Sequence, residues 1–359
     1  MRLGLIARAD NTGLGNQTWE FYRHMKPAKT LVVDISAYNG NKQYPERYPH
    51  NARFIKGFPN LGDLREFLTD LDVVFVAESP YNYALYSMAR EMGVKTACQY
   101  NYEFFDWFAH PEYPHPDMLI APSRWHYAEV DKWAQDNNVR HVYLHCPVDR
   151  DKLPFKPRTQ AKRFLHLAGK AAAYDRNGTE TVIDASKFVT SDVEIVLHFQ
   201  GEQGLGHQAT HTIADYQKRI EANGNPEKIR IEQKDYDNYQ DIYADFDVML
   251  LPRRYGGNCL PLNEALSSGM IVFMPDISPN DHWLPPHWLL PAQKIGQFAP
   301  RTVVDIYGVN PQDLAERIDW FANNSQGVID TESRVADALA SQIDWGVMKE
   351  MYEKELMLI

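Results

Sequence analysis

The densest chemistry in the chain lies between Asp247 and Asp276, in the stretch DVMLLPRRYGGNCLPLNEALSSGMIVFMPD. Arg253 and Arg254 are cations suited to phosphate, Gly256, Gly257 and Asn258 follow, and Glu264 stands one turn into a helix expected from Leu260 to Ser268. Adjacent glycines let backbone N–H groups approach a ligand closely. The first turn of a helix leaves those groups without intrahelical partners. A loop of this kind entering a helix can seat a phosphate. Glu264 then has the depth to reach a sugar hydroxyl beside it.

The elements that must hold these residues are legible on either side. Val248 to Leu251 and Met270 to Met274 are short apolar runs bounded by charge, Gly or Pro, as buried parallel strands are, and Gly269 ends the helix between them. The same alternation runs through the chain. Strands are expected at 2–8, 30–35, 72–77, 94–98, 117–121, 140–144, 164–169, 193–199 and 229–232, with helices at 17–25, 81–92, 208–223, 237–243 and 310–323 and one running from the 176–178 region through Phe188. Strands and helices in turn predict doubly wound α/β sheets. At 359 residues the chain exceeds one typical core, so two domains are expected. Pro147, Pro154 and Pro157 stiffen a connection that places the boundary near residue 158.

Composition excludes several classes. No run approaches the ~20 apolar residues of a membrane span, and the first residues, MRLGLIARAD, lack a signal cleavage site, so a cytoplasmic protein is expected. Cys98, Cys146 and Cys259 show neither paired nor zinc-clip spacing. The net charge is -11, yet residues 1–60 carry nine Lys or Arg against four acids. That local excess suits either an anionic partner or ordinary scatter of surface charge.

The central stretch resembles the donor-site signature of retaining GT-B glycosyltransferases, the family of sucrose synthases, glycogen synthases and many mannosyltransferases. LPLNEALSSGMIVF matches the second half of its E-x7-E pattern, while Gly256 stands at the first acid and Cys259 at a usual Gly. The crossover is similar too, with Val148-Asp149 matching and Pro147 in place of a Gly. The resemblance implies an α/β GT-B fold: two facing Rossmann-like, doubly wound domains around a deep interdomain cleft. Residues 1–158 would form the acceptor domain and 159–341 the nucleotide-sugar donor domain, with a closing helix at about 342–359 packing back on the first. It further implies that Glu264 binds the donor ribose and that the amides of Gly257 and Asn258 meet the donor phosphate or sugar. Lys170 and Arg176 would clamp the diphosphate, with Arg254 as a further phosphate contact and Tyr236 beside the base. Asn101 stands where the family has a His that contacts the transferred sugar. The donor expected is a UDP- or GDP-sugar, with no other cofactor, no metal and retention of the anomer. Accordingly Asp235-Tyr236-Asp237 and Asp245-Phe246-Asp247, which flank a helix, are not read as metal ligands.

In the first domain Gly13 and Gly15, in DNTGLGN after the first strand, are read as lining the donor cleft; with Asp34 they also match part of a dinucleotide fingerprint. The polar segment 36–58 interleaves Tyr38, Tyr44, Tyr48, Phe54 and Phe58 with Lys42, Arg47, Arg53 and Lys56, and is read as a loop. It could meet a nucleic acid, a lipid headgroup or only its own domain. Glu78, Glu103 and His110 are further polar candidates near strand ends. Two rivals stand beside the transferase: a non-catalytic GT-B-like binding subunit, and a nicotinamide oxidoreductase built on Gly13 and Gly15.

Overall fold

Leu5 and Ile6 adjoin in sequence yet bury in two different cores, and that alternation sets the plan of the amino-terminal unit. The computed structural model describes residues 1–105, 110, 112–169, 175–200, 212–234, 236 and 238–359. Two compact units emerge: one of Met1–Pro147, Ala299–Val303 and Trp345–Ile359, the other of Val148–Phe298 and Val304–Asp344.

The first unit holds β1 (Leu3–Ala7), β2 (Lys29–Asp34), β3 (Ala52–Lys56), β4 (Val73–Ala77), β5 (Lys95–Gln99), β6 (Met118–Ala121) and β7 (Arg140–Tyr143). They form one parallel sheet in the order β3-β2-β1-β4-β5-β6-β7. Central strands such as LGLIA and VVFVA are buried along their whole length, because helices cover both faces. On one side Ile6, Leu31, Val74 and Leu119 pack with Leu64, Leu85 and Val130 of three helices. On the other, Leu5, Val32, Phe75 and Ile120 pack with Phe21 of the helix Gly13–Met25 and with Trp345 and Tyr352 of the helix Trp345–Met357. There the Phe21 and Phe75 rings stack at 3.9 Å.

The expectation that 36–58 is loop is corrected by β3, which occupies Ala52–Lys56. As an edge strand it has one neighbour and is mostly exposed, so it carries no continuous apolar run; its charged Arg53 and Lys56 suit an unpaired edge. The first helix also begins earlier than expected, at Gly13, where the Thr12 side chain accepts from the Gly15 N–H at 3.2 Å.

The second unit repeats the topology with β8 (Arg163–Gly169), β9 (Glu194–Phe199), β10 (Ile229–Gln233), β11 (Val248–Leu250), β12 (Ile271–Pro275) and β13 (Leu289–Leu290), parallel in the order β10-β9-β8-β11-β12-β13. An antiparallel pair, β14 (Ala292–Phe298) and β15 (Val304–Val309), lies outside that sheet. In each sheet the chain winds outward from its first strand, then crosses to that strand's other side. Strand order therefore reverses between β1 and β4, and again between β8 and β11. Open parallel sheets bind ligands at the carboxyl ends of the strands at such a point.

His166 is fully buried at the centre of the second unit. Its Nδ1 lies 2.8 Å from the Leu250 carbonyl oxygen and its Nε2 2.9 Å from Thr179 Oγ1, which ties β8 to β11 and to the helix Thr179–Ser186. Nδ1–H donates to the carbonyl, so Nε2 accepts from the hydroxyl and the ring is neutral. Burial pushes its pKa from 6.5 down to about 4. Within that window the unfolded chain binds a proton that the folded chain refuses, so stability falls as pH falls. Between about pH 7 and about pH 5 the expected loss is roughly 2 kcal/mol. Urea titrations at both pH values should show this component removed in His166→Gln; an unaltered pH dependence in the variant would refute it.

Candidate functional site

Two loops meet where β8 and β11 release the chain. Gly178 precedes the helix Thr179–Ser186 with φ of +75°, and a Cβ there would stand 2.2 Å from the Pro252 carbonyl oxygen. Only glycine allows this backbone approach. The Arg254 N–H donates to the Arg176 carbonyl at 2.8 Å, and Asn177 Nδ2 donates to the Ala168 carbonyl at 2.8 Å, so the loops are laced to each other and to β8.

This lacing divides the arginines. Arg254 Nη2 lies 3.2 Å from the Asp175 carboxylate and 4.0 Å from Glu180. Asp175, which is buried, also accepts from the Thr179 and Glu180 N–H groups at 2.9 and 3.1 Å, filling the start of that helix with a carboxylate of the protein's own. Burial pushes the Asp175 carboxyl up to about 6 against the opposing pull of Arg254. Arg254, predicted as a phosphate contact, is thus already in an ion pair.

Arg176 and Arg253 converge elsewhere. Gly256 has φ of +114°, and a Cβ on it would stand 2.5 Å from Nη2 of Arg176 and 2.5 Å from Nη2 of Arg253. Those nitrogens are therefore no more than about 5 Å apart, a separation at which like charges repel unless an anion joins them. Arg176 also sits over the Tyr255 ring at 5.0 Å, and Arg253 Nη1 donates to the Asn258 carbonyl at 2.7 Å. The glycine at the expected acid position leaves room for two cations. Gly257 and Asn258 complete the loop into the helix Leu260–Ser267, whose start has no side-chain cap. Lys170, expected to clamp the diphosphate with Arg176, lies outside the described residues.

Glu264 sits in that helix, partly exposed, and accepts a short hydrogen bond from the Tyr243 hydroxyl. Tyr243 is buried, and Arg158 donates to its carbonyl at 3.0 Å. Sequence reasoning missed Asp175, Tyr243 and Tyr255. An Asp ahead of a helix start signals a cap, but nothing local marks the two tyrosines. Tyr236 lies past the end of β10, two strands from the reversal; its ring carries the Lys234 ammonium at 4.2 Å and lies 5.6 Å from His198.

The remaining predicted residues belong to the first unit. Gly13 and Gly15 lie in the first turn of their helix, and a Cβ on Gly15 would stand 2.1 Å from the Asp10 carbonyl oxygen, so close packing requires that glycine. Asn101 follows β5, and its carbonyl accepts from the Phe104 N–H at 3.0 Å. Glu103 is buried, whereas His110 is exposed and accepts from the Glu112 N–H at 3.3 Å. In the basic segment Arg53 bridges Asp63 and Glu66, Arg47 donates to Asp10, Asn11 and Asn16, and Lys42 lies over Tyr44. Among the described residues, no helix is long and apolar enough to cross a membrane.

No family model and no curated protein matches this sequence. Solved structures do. HepE of Anabaena in complex with UDP and glucose is similar over 100% of both chains at 13% identity, with a TM-score of 0.67. A glycosyltransferase of Rickettsia africae is similar over 99% of this chain and 97% of its own at 10% identity, with a TM-score of 0.70. Sucrose-phosphate synthase of Thermosynechococcus elongatus is similar over 99% and 98% at 11% identity, with a TM-score of 0.67. At such identities the likeness is one of fold, and the two parallel sheets, each reversing its strand order beside its first strand, are those of the GT-B fold.

Proposed function

We propose that this chain is a glycosyltransferase that takes its sugar from a nucleoside diphosphate donor held by the second unit. The convergence of Arg176 and Arg253 on Gly256, at the strand-order reversal, carries this reading. Two guanidinium groups so close suit a diphosphate. Its charge grows as the sugar departs, so fixed cations stabilise the transition state more than the ground state. Neighbours of the same fold were solved with UDP, with UDP-glucose and with UDP-2-fluoro glucose, which supports a UDP-sugar as donor.

Roles follow from position. By its place in the sequence Lys170 is assigned with Arg176 to the diphosphate, and the Gly257 and Asn258 amides meet the phosphate or sugar. Glu264 accepts from ribose hydroxyls while Tyr243 fixes its carboxylate, and Tyr236 lies beside the base. Arg254 supports the loop through Asp175. The resemblance in sequence assigns Asn101 to the sugar; its amide donates and accepts but takes no proton. With no general base assigned, a leaving phosphate oxygen removes the acceptor proton on the same face, which retains the anomer. No metal is required where arginines carry the charge.

A panel of nucleotide sugars tests the proposal. Release of nucleoside diphosphate should be detected with at least one donor and abolished by Glu264→Ala. Arg176→Ala and Arg253→Ala should each lower kcat/KM by about 10- to 100-fold, the worth of a charge-assisted hydrogen bond. A panel without turnover, but with tight UDP binding, would favour the non-catalytic binding subunit. Tyr243→Phe removes the phenol that holds Glu264. It should raise the donor KM about 5- to 10-fold with kcat little changed, as expected for lost ground-state binding. A fall in kcat at constant KM would contradict that role.

A further inference from the structure

Arg176 and Arg253 hold like charges within about 5 Å of each other, and with no anion between them either side chain gains by turning away into solvent. Arg253 is restrained: it is buried, and its Nη1 donates to the Asn258 carbonyl at 2.7 Å. Arg176 is only half-buried, and its Cζ lies 5.0 Å from the centre of the Tyr255 ring. The quadrupole of an aromatic face attracts a guanidinium, the more so where water is excluded. Tyr255 is 6% exposed, so its ring is such a face.

The ring is itself braced by the antiparallel pair β14 and β15. Phe298, the last residue of β14, lies 5.4 Å from Tyr255 with the ring planes inclined by 53°. From β15 the Tyr307 N–H donates to the Arg254 carbonyl at 2.9 Å, while the Arg254 N–H donates to the Arg176 carbonyl at 2.8 Å. The loop after β11 is thus stitched to the β8 loop on one side and to the hairpin on the other. A ring suits this task better than an acid. Asp175 fixes Arg254 but neutralises it, whereas a ring under the face of a guanidinium leaves its charge and its in-plane N–H donors for a ligand.

We propose that Tyr255 is a positioning residue: its ring, braced by Phe298, holds the Arg176 guanidinium beside Arg253 before a donor arrives. That the two cations await a diphosphate rests on the donor reading above; the hold of the ring on Arg176 in the empty protein does not.

The test titrates the full chain with UDP by calorimetry and follows Arg176 separately, without ligand, by the rate of its modification with phenylglyoxal read by mass spectrometry. Tyr255→Leu should weaken UDP binding about 5- to 10-fold and speed the modification of Arg176 at least twofold. Tyr255→Phe keeps the ring and should leave both within about twofold of the wild type. In an Arg176→Ala background Tyr255→Leu should cost no further affinity, as expected where one residue acts through another. Phe298→Ala, at a half-buried position, should show the same pattern more weakly and decides the matter if Tyr255→Leu does not fold. Equal losses of affinity with and without Arg176, a loss in Tyr255→Phe as large as in Tyr255→Leu, or Arg176 modification unchanged in the ring variants each overturns the proposal. UDP binding weakened by Arg176→Ala but not by Tyr255→Leu or Phe298→Ala leaves the donor reading standing and removes this one. Faster Arg176 modification in the ring variants of a chain that binds no UDP upholds the hold of the ring and removes the donor reading.

Discussion

The candidate donor site depends on one backbone contact, the approach of Gly178 to the carbonyl of Pro252. A single methyl group there would force the β8 and β11 loops apart. With them together, Arg254 can donate to the Arg176 carbonyl, and Asp175 can reach both the Arg254 side chain and the start of its own helix. The steric permission of one glycine thus fixes several charged groups that are distant in sequence.

Charge is allocated by this geometry rather than by residue type. Arg253 and Arg254 adjoin in the chain but do different work: Arg254 meets a buried carboxylate, while Arg253 meets Arg176 across Gly256. Gly256 stands where the resemblance expects an acid, and the guanidinium groups occupy the space beside it. The same allocation tempers the basic segment of the first unit, where Arg47 and Arg53 are engaged by Asp10 and by Asp63 and Glu66. A local surplus in composition is therefore much less of a surplus in space.

Both units use one topology and equip its reversal differently. In the second, two cations converge beside an uncapped helix start, an arrangement suited to a diphosphate. In the first, Arg8 pairs with the buried Asp10 past the end of β1. Duplicated topology leaves the chemistry to the loops, which it does not constrain.

The sequence by itself determined the central strands and most helices, because residues in central parallel strands are buried on both faces and must be apolar throughout, as in VVFVA and MLIA. It also marked the Gly-rich loop and Glu264, since backbone freedom and helix starts have local signatures. It did not reveal β3, whose edge position removes the need for an apolar run, nor β13, β14 and β15, the helix Gln326–Ser341 or the true start of the first helix. Only the tertiary structure decided which arginine pairs with Asp175, that Tyr243 holds Glu264, and that Gly15 is glycine because Asp10 lies against it. Those outcomes depend on contacts between residues far apart in the chain, where short-range spacing carries no information.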